Sequence, residues 1–173
     1  TAEEWLHVAD EAAVGPGSQI LDVGSGSGGP ALYLAERCGC HVTGVDINEH
    51  GVANATRLAQ ARGIAARADF QRVDAHRPLP FPDASFDLVV NPVSTLFVPD
   101  VGKVWRECRR ILVSHGVLIA GFMNPDEFVF DPDALDERGD FVLRYPLPYV
   151  EHETLDAAAL KAAVRTYPNS PYD

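Results

Sequence analysis

Short apolar runs alternate with amphipathic stretches along most of the chain. Gln19-Ile20-Leu21-Asp22-Val23 reads as a buried strand, residues 41–45 as a second that ends at Asp46, and 68–73 as a third. Residues 86–91 and 116–122 read as a fourth and a fifth. Strands that are nearly continuous in apolar residues and alternate with helices predict a parallel sheet covered on both faces. The first helix, over residues 3–13, carries Leu6, Val8 and Ala9 among acids and closes at Val14-Gly15-Pro16-Gly17. Pro30 suits the first turn of a helix over 31–38. Asn48 caps one whose stripe is Val52, Ala55 and Ala59, and Gly63 stands where it should stop. The clearest helix follows Asp100, with Val101, Val104, Trp105, Cys108, Ile111 and Leu112 on one face. The fold class predicted is α/β, a doubly wound, mostly parallel sheet.

After Met123 the periodicity fades. Residues 124–140 are rich in Asp and Glu and broken by Pro125 and Pro132. Residues 141–145 suit an added strand, Pro146-Leu147-Pro148 a stiff turn, and Thr154 the cap of an Ala-rich helix to Arg165. Residues 167–173 suit no element. With no repeat and no linker, 1–123 reads as the core and 124–173 as an extension of the same domain, incomplete at its C-terminus.

Charge narrows the function classes. The 173 residues hold 25 acids against 14 Lys and Arg, a net charge of −11, which argues against a nucleic-acid partner. Hydrophobic residues make up 46%, enough for a packed core and too many for disorder. The longest apolar run, 116–123, falls well short of the ~18 residues that read as a membrane span. Cys38, Cys40 and Cys108 make no disulfide framework. The Cys38-Gly39-Cys40 spacing is too tight for the usual zinc knuckle, so no metal is expected and a reducing cytoplasm is the expected compartment. Oligomeric state leaves no mark on the sequence.

The unusual residues fall just after the predicted strands, where ligands of doubly wound sheets bind. Gly24, Gly26, Gly28 and Gly29 follow the first strand and satisfy both GxGxG and GxGxxG. Such a loop lets backbone approach a ligand, and the helix behind it attracts an anionic group. Asp46 lies twenty residues beyond Gly26, where a carboxylate can accept both hydroxyls of a ribose. Asp22 interrupts an otherwise apolar strand, and a buried acid there wants a cation such as an ammonium. Asp74-Ala75 directly follows the third strand, placed to meet the edge of an adenine.

Taken together these segments resemble class I S-adenosylmethionine (SAM)-dependent methyltransferases of the small-molecule type. The run Ile20-Leu21-Asp22-Val23-Gly24-Ser25-Gly26-Ser27-Gly28 looks like their first motif. Gly44-Val45-Asp46-Ile47, the Asp74 loop, Leu79-Pro80-Phe81-Pro82-Asp83 with Phe86-Asp87, and Arg109-Arg110-Ile111-Leu112 continue the likeness. The family sheet usually closes with a sixth and an antiparallel seventh strand, and the sequence shows no such pair. The resemblance implies that Gly24, Ser25 and Gly26 lie along the methionine moiety, with Asp22 near its ammonium. It implies that Asp46 holds the ribose, Ile47 packs on an adenine face, and Asp74 and Ala75 meet the adenine edge. Asn91 would line the methyl-transfer side. Asn91-Pro92 is similar to the Asn-Pro-Pro-aromatic signature of amino-group methyltransferases, but Val93-Ser94 breaks it.

The expected reaction is in-line transfer of the SAM methyl group to an O, N, S or C atom of a small molecule, leaving S-adenosylhomocysteine (SAH). The acceptor is expected against Trp5, Ser94, Phe97 and residues 122–149. No residue is singled out as a catalytic base. One rival is an NAD-dependent oxidoreductase, which calls for an apolar residue at position 22 and a Tyr-x-x-x-Lys pair that is absent. The other is a noncatalytic SAM-binding module.

Overall fold

The computed structural model describes residues 2–98, 100–122, 130, 131, 134, 137–144 and 156. The chain falls into two compact units, Thr1–Gly121 and Phe122–Asp173. In the first, the elements are α1 (Ala2–Glu11), β1 (Gln19–Val23), α2 (Gly29–Cys38), β2 (His41–Asp46), α3 (Glu49–Ala61) and β3 (Ala68–Arg72). They continue with β4 (Phe86–Asn91), a 3-10 turn (Ser94–Phe97), α4 (Val101–Ile111) and β5 (Leu112–Ala120). The strands form one parallel sheet in the order β3-β2-β1-β4-β5. The chain reverses direction across the sheet between β1 and β4, so the loops after these two strands flank the switch point.

Side chains alternate across the pleat and build two cores. Ile20, Val42, Leu88 and Val90 pack with Leu32, Leu34, Ala55 and Ala59 on one face. Leu21, Val23, Val45 and Val89 pack with Val104, Cys108 and Ile111 on the other. Each such Leu or Ile contributes roughly 1.5–3 kcal/mol by leaving water. The predicted helix caps form: Asn48 Oδ1 accepts from His50 N at 3.0 Å and Gly51 N at 3.3 Å, and Asp100 Oδ1 from Lys103 N at 3.2 Å.

Expectations for α4 and β5 change. Strand β5 runs over Leu112–Ala120 with no loop after α4, and not over 116–122, so Leu112 belongs to it and not to the face of α4. Leu112 pairs with Phe86, and an irregularity between Phe86 and Leu88 absorbs the polar Ser114-His115 stretch. Trp105, expected on the buried face of α4, is 37% exposed, because the covered stripe is only Val104, Cys108 and Ile111.

The loop between β3 and β4 is stapled to α4. Arg110 Nη1 donates to Asp83 Oδ1 at 2.7 Å and to the Phe81 carbonyl at 2.8 Å, and Nη2 donates to the Leu79 carbonyl at 3.0 Å. Glu107 Oε2 accepts from Arg110 Nη2 and from Leu79 N, both at 2.8 Å. The bonded guanidinium holds the Glu107 carboxyl below its usual range.

In the second unit, Phe130 and Leu143 form an isolated antiparallel bridge, and Asp131 N donates to Val142 O at 2.8 Å. Phe130 stacks edge-on against Phe141 at 5.5 Å. Among the described residues this bridge stands in place of the added strand predicted over 141–145. The helix predicted from Thr154 to Arg165 lies outside the described residues apart from Asp156.

Candidate functional site

The turn after β1 depends on its glycines. Gly24 (φ 76°), Gly26 (φ 52°) and Gly28 (φ 80°) adopt left-handed backbone that side chains disfavour. At two of them space is also lacking. A Cβ on Gly28 would come within 2.8 Å of the Phe70 ring and 2.9 Å of Ala55, and a Cβ on Gly24 would overlap Ser94. The loop is tied to β2 by Gly24 N and Ser25 N, which donate to the Val45 carbonyl at 2.8 and 3.0 Å.

Asp46 completes that tie. Its Oδ2 accepts from Gly26 N at 2.7 Å and its Oδ1 from Asn48 N at 2.8 Å. The acid that the sequence pairs with the glycines by spacing is therefore bonded to them. Each carboxylate oxygen keeps a second lone pair for a ligand.

Three buried side chains here leave atoms without hydrogen-bond partners: both oxygens of Asp22, Oγ of Ser25 and Nδ2 of Asn91. Buried polar atoms are almost always paired, so such a cluster marks a place completed by something else. Asp22 shares the pleat face of Ile20, toward α2. Burial pushes its carboxyl up to about 7, and the nearby Asp46 carboxylate adds repulsion. The Ala31 amide pulls it partly back without reaching hydrogen-bond geometry.

The remaining predicted residues lie along the same sheet edge. Ile47 follows β2 and is 50% exposed. Asp74 follows β3 with its carboxylate engaged: Oδ1 lies 2.9 Å from His76 N and 3.2 Å from His76 Nδ1, and Oδ2 lies 3.3 Å from Arg77 Nε. Ala75 packs against the core that holds Val45 and Leu79. Asn91 ends β4 and is linked through Ser94 to the backbone of β1. The sequence placed Ser94 only in the acceptor segment; its seat on Gly24 has no local signal, since seventy residues separate the two. A separate cleft at the α4–β5 junction, lined by Arg106, Arg109, Arg110 and His115, contains none of the predicted residues. Among the described residues no cluster of His, Cys, Asp or Glu could hold a metal ion, and no helix is long and apolar enough to cross a membrane.

The methyltransferase domain family matches residues 21–120, from the middle of β1 to the end of β5. The chain belongs to the class I SAM-dependent methyltransferases. This methyltransferase domain is 35% identical over 133 residues to sterol 24-C-methyltransferase ERG6B of Gibberella zeae, covering 76% of this chain and 34% of the relative. Among solved structures, the [4+2]-cyclase SpnF is 35% identical with a TM-score of 0.64, over 68% of this chain and 43% of the other. Geranyl diphosphate methyltransferase in complex with SAM is 26% identical with a TM-score of 0.65, over 73% and 51%. The methyltransferase domain thus spans from a third to about half the length of these proteins.

Proposed function

We propose that the chain forms the cofactor site of an enzyme that moves the methyl group of SAM to an O, N, S or C atom of a small-molecule acceptor, leaving SAH. The observation that carries this reading is the trio of buried side chains with unpaired atoms, Asp22, Ser25 and Asn91, around the glycine turn. A ligand bringing an ammonium and several hydrogen-bonding groups supplies what the fold leaves open there. Bound SAM supplies a methyl group already activated on a sulfonium.

The chain's own residues bind and orient. Asp22 takes the ammonium, while Gly24, Ser25 and Gly26 line the methionine moiety. Asp46 accepts the ribose hydroxyls with the lone pairs that Gly26 and Asn48 leave free. Ile47 covers an adenine face with its exposed side chain. Asp74 and Ala75 meet the adenine edge, for which Asp74 loosens its contacts with His76 and Arg77. Asn91 lines the transfer side. Alignment of this kind can supply several kcal/mol of the barrier lowering, and a base enters only when the acceptor arrives protonated.

Sterol and geranyl diphosphate methyltransferases among the similar proteins support a small-molecule acceptor. A second reading, that the pocket serves chemistry other than methyl transfer, is favoured by the likeness to a [4+2]-cyclase. Calorimetric titration with SAH and NAD+ tests the site: SAH should bind, NAD+ should not, and Asp46→Ala should weaken SAH about tenfold or more. Preference for NAD+, or SAH affinity indifferent to Asp46→Ala, overturns the reading. Transfer of label from methyl-labelled SAM into a metabolite pool separates the methyltransferase from the second reading.

A further inference from the structure

Ser94 is seated directly on the glycine turn, because only the missing side chain of Gly24 makes room for it. Its Oγ lies 3.1 Å from the Val23 carbonyl oxygen and 3.0 Å from Asn91 Oδ1. Asn91 is buried, and its Nδ2 has no partner.

A serine hydroxyl has one proton. Given to either oxygen, it leaves two lone-pair-bearing oxygens about 3 Å apart across the other contact. The two ends of an amide are nearly isosteric, and turning the Asn91 amide over removes the conflict. Ser94 then donates to Val23 O, Asn91 Nδ2 donates to Ser94 Oγ, and one unpaired acceptor remains in place of an unpaired donor.

We propose that Ser94 is a positioning residue that holds the Asn91 amide with its carbonyl oxygen, and not its NH2, toward the transfer side of the site. This rests on the placement of Asn91 given under the proposed function. The consequence is a fixed polarity. A carbonyl oxygen there attracts the positive charge of an activated methyl and accepts from an N–H or O–H on the acceptor; an NH2 would do neither. Ser94 acts through Asn91.

Titration of the full chain with SAH and with sinefungin reads this polarity, since sinefungin carries a protonated amine where SAM carries its methyl. The wild-type chain should favour sinefungin by about tenfold, the worth of one charge-assisted hydrogen bond. Ser94→Ala should hold SAH affinity within about twofold and reduce the sinefungin preference to about twofold, because the released amide presents either end. Adding Asn91→Asp to Ser94→Ala should restore the preference, since a carboxylate offers oxygen at both ends. A merely loosened loop would weaken SAH and sinefungin together and leave their ratio unchanged. An unchanged preference in Ser94→Ala, a wild-type chain that favours SAH, or failure of the rescue overturns the proposal. If Ser94→Ala does not fold, Ser94→Cys, similar in size and a weak donor, takes its place with the same outcomes. A wild-type chain that binds neither ligand overturns the cofactor reading and this proposal with it.

Discussion

Two polar clusters of the first unit differ in how fully their members satisfy one another. Near the amino ends of β4 and β5, Arg110, Glu107 and Asp83 exchange hydrogen bonds with one another and with the backbone of Leu79 and Phe81. At the carboxyl ends of β1 and β4, Asp22, Ser25 and Asn91 are more deeply buried and leave atoms unpaired. The first cluster is complete and acts as a staple for a loop. The second lacks partners, which a bound ligand or ordered water would bring. Completeness, more than charge or burial, separates the loop staple from the candidate site.

The contrast can be broken most forcefully at Gly24. Gly24→Ala combines a left-handed backbone with an overlap on Ser94, and should cost about 3 kcal/mol or more. Urea denaturation measures it, and adding Ser94→Gly should recover part of the loss.

Next comes Asp22. Its folded carboxyl titrates at about 7 against an ordinary 3.8. Between those values the folded chain keeps a proton that the unfolded chain has released. Stability should therefore fall as pH rises from about 4 to about 7 and level off above that. Asp22→Asn should flatten this profile and raise stability at pH 8 by on the order of 1–3 kcal/mol. The same change should weaken SAH binding about tenfold or more by calorimetry. A stabilised chain with weakened binding would be the signature of a group held for its ligand.

Arg110→Ala should do the reverse. It should lower stability by about 1–2 kcal/mol through lost bonds to Leu79 and Phe81 and leave SAH affinity within about twofold. Thermal denaturation and titration of the same sample check both halves. The smallest effect belongs to Asp83→Asn, whose side chain is 79% exposed. It should change stability by less than about 0.5 kcal/mol.

Much of the fold was legible because its signals are local. Strands β1 and β4 occupy the predicted residues, since a central parallel strand is an apolar run whatever surrounds it. Asn48 and Asp100 cap within three residues of themselves. The start of β5 was not legible: Ser114 and His115 lack strand character, and pairing of Leu112 with Phe86 extends the strand across them. Trp105 was misplaced because helical periodicity gives the centre of a stripe and not its width. The candidate site was legible as residue types at fixed spacings, down to Asp46 after the glycines. Its bonds were not, and neither was the engagement of Asp74 by His76 and Arg77.

By itself the sequence determined the alternation of strands and helices, their caps, and a glycine turn followed at intervals by acids. These depend on backbone preference and on neighbours a few residues away. Only the tertiary structure decided that Asp46 bonds the loop, that Ser94 fills the space over Gly24, and that Asp22, Ser25 and Asn91 are buried with atoms to spare. Burial and hydrogen-bond completion belong to groups brought together from distant parts of the chain, so no local pattern can record them.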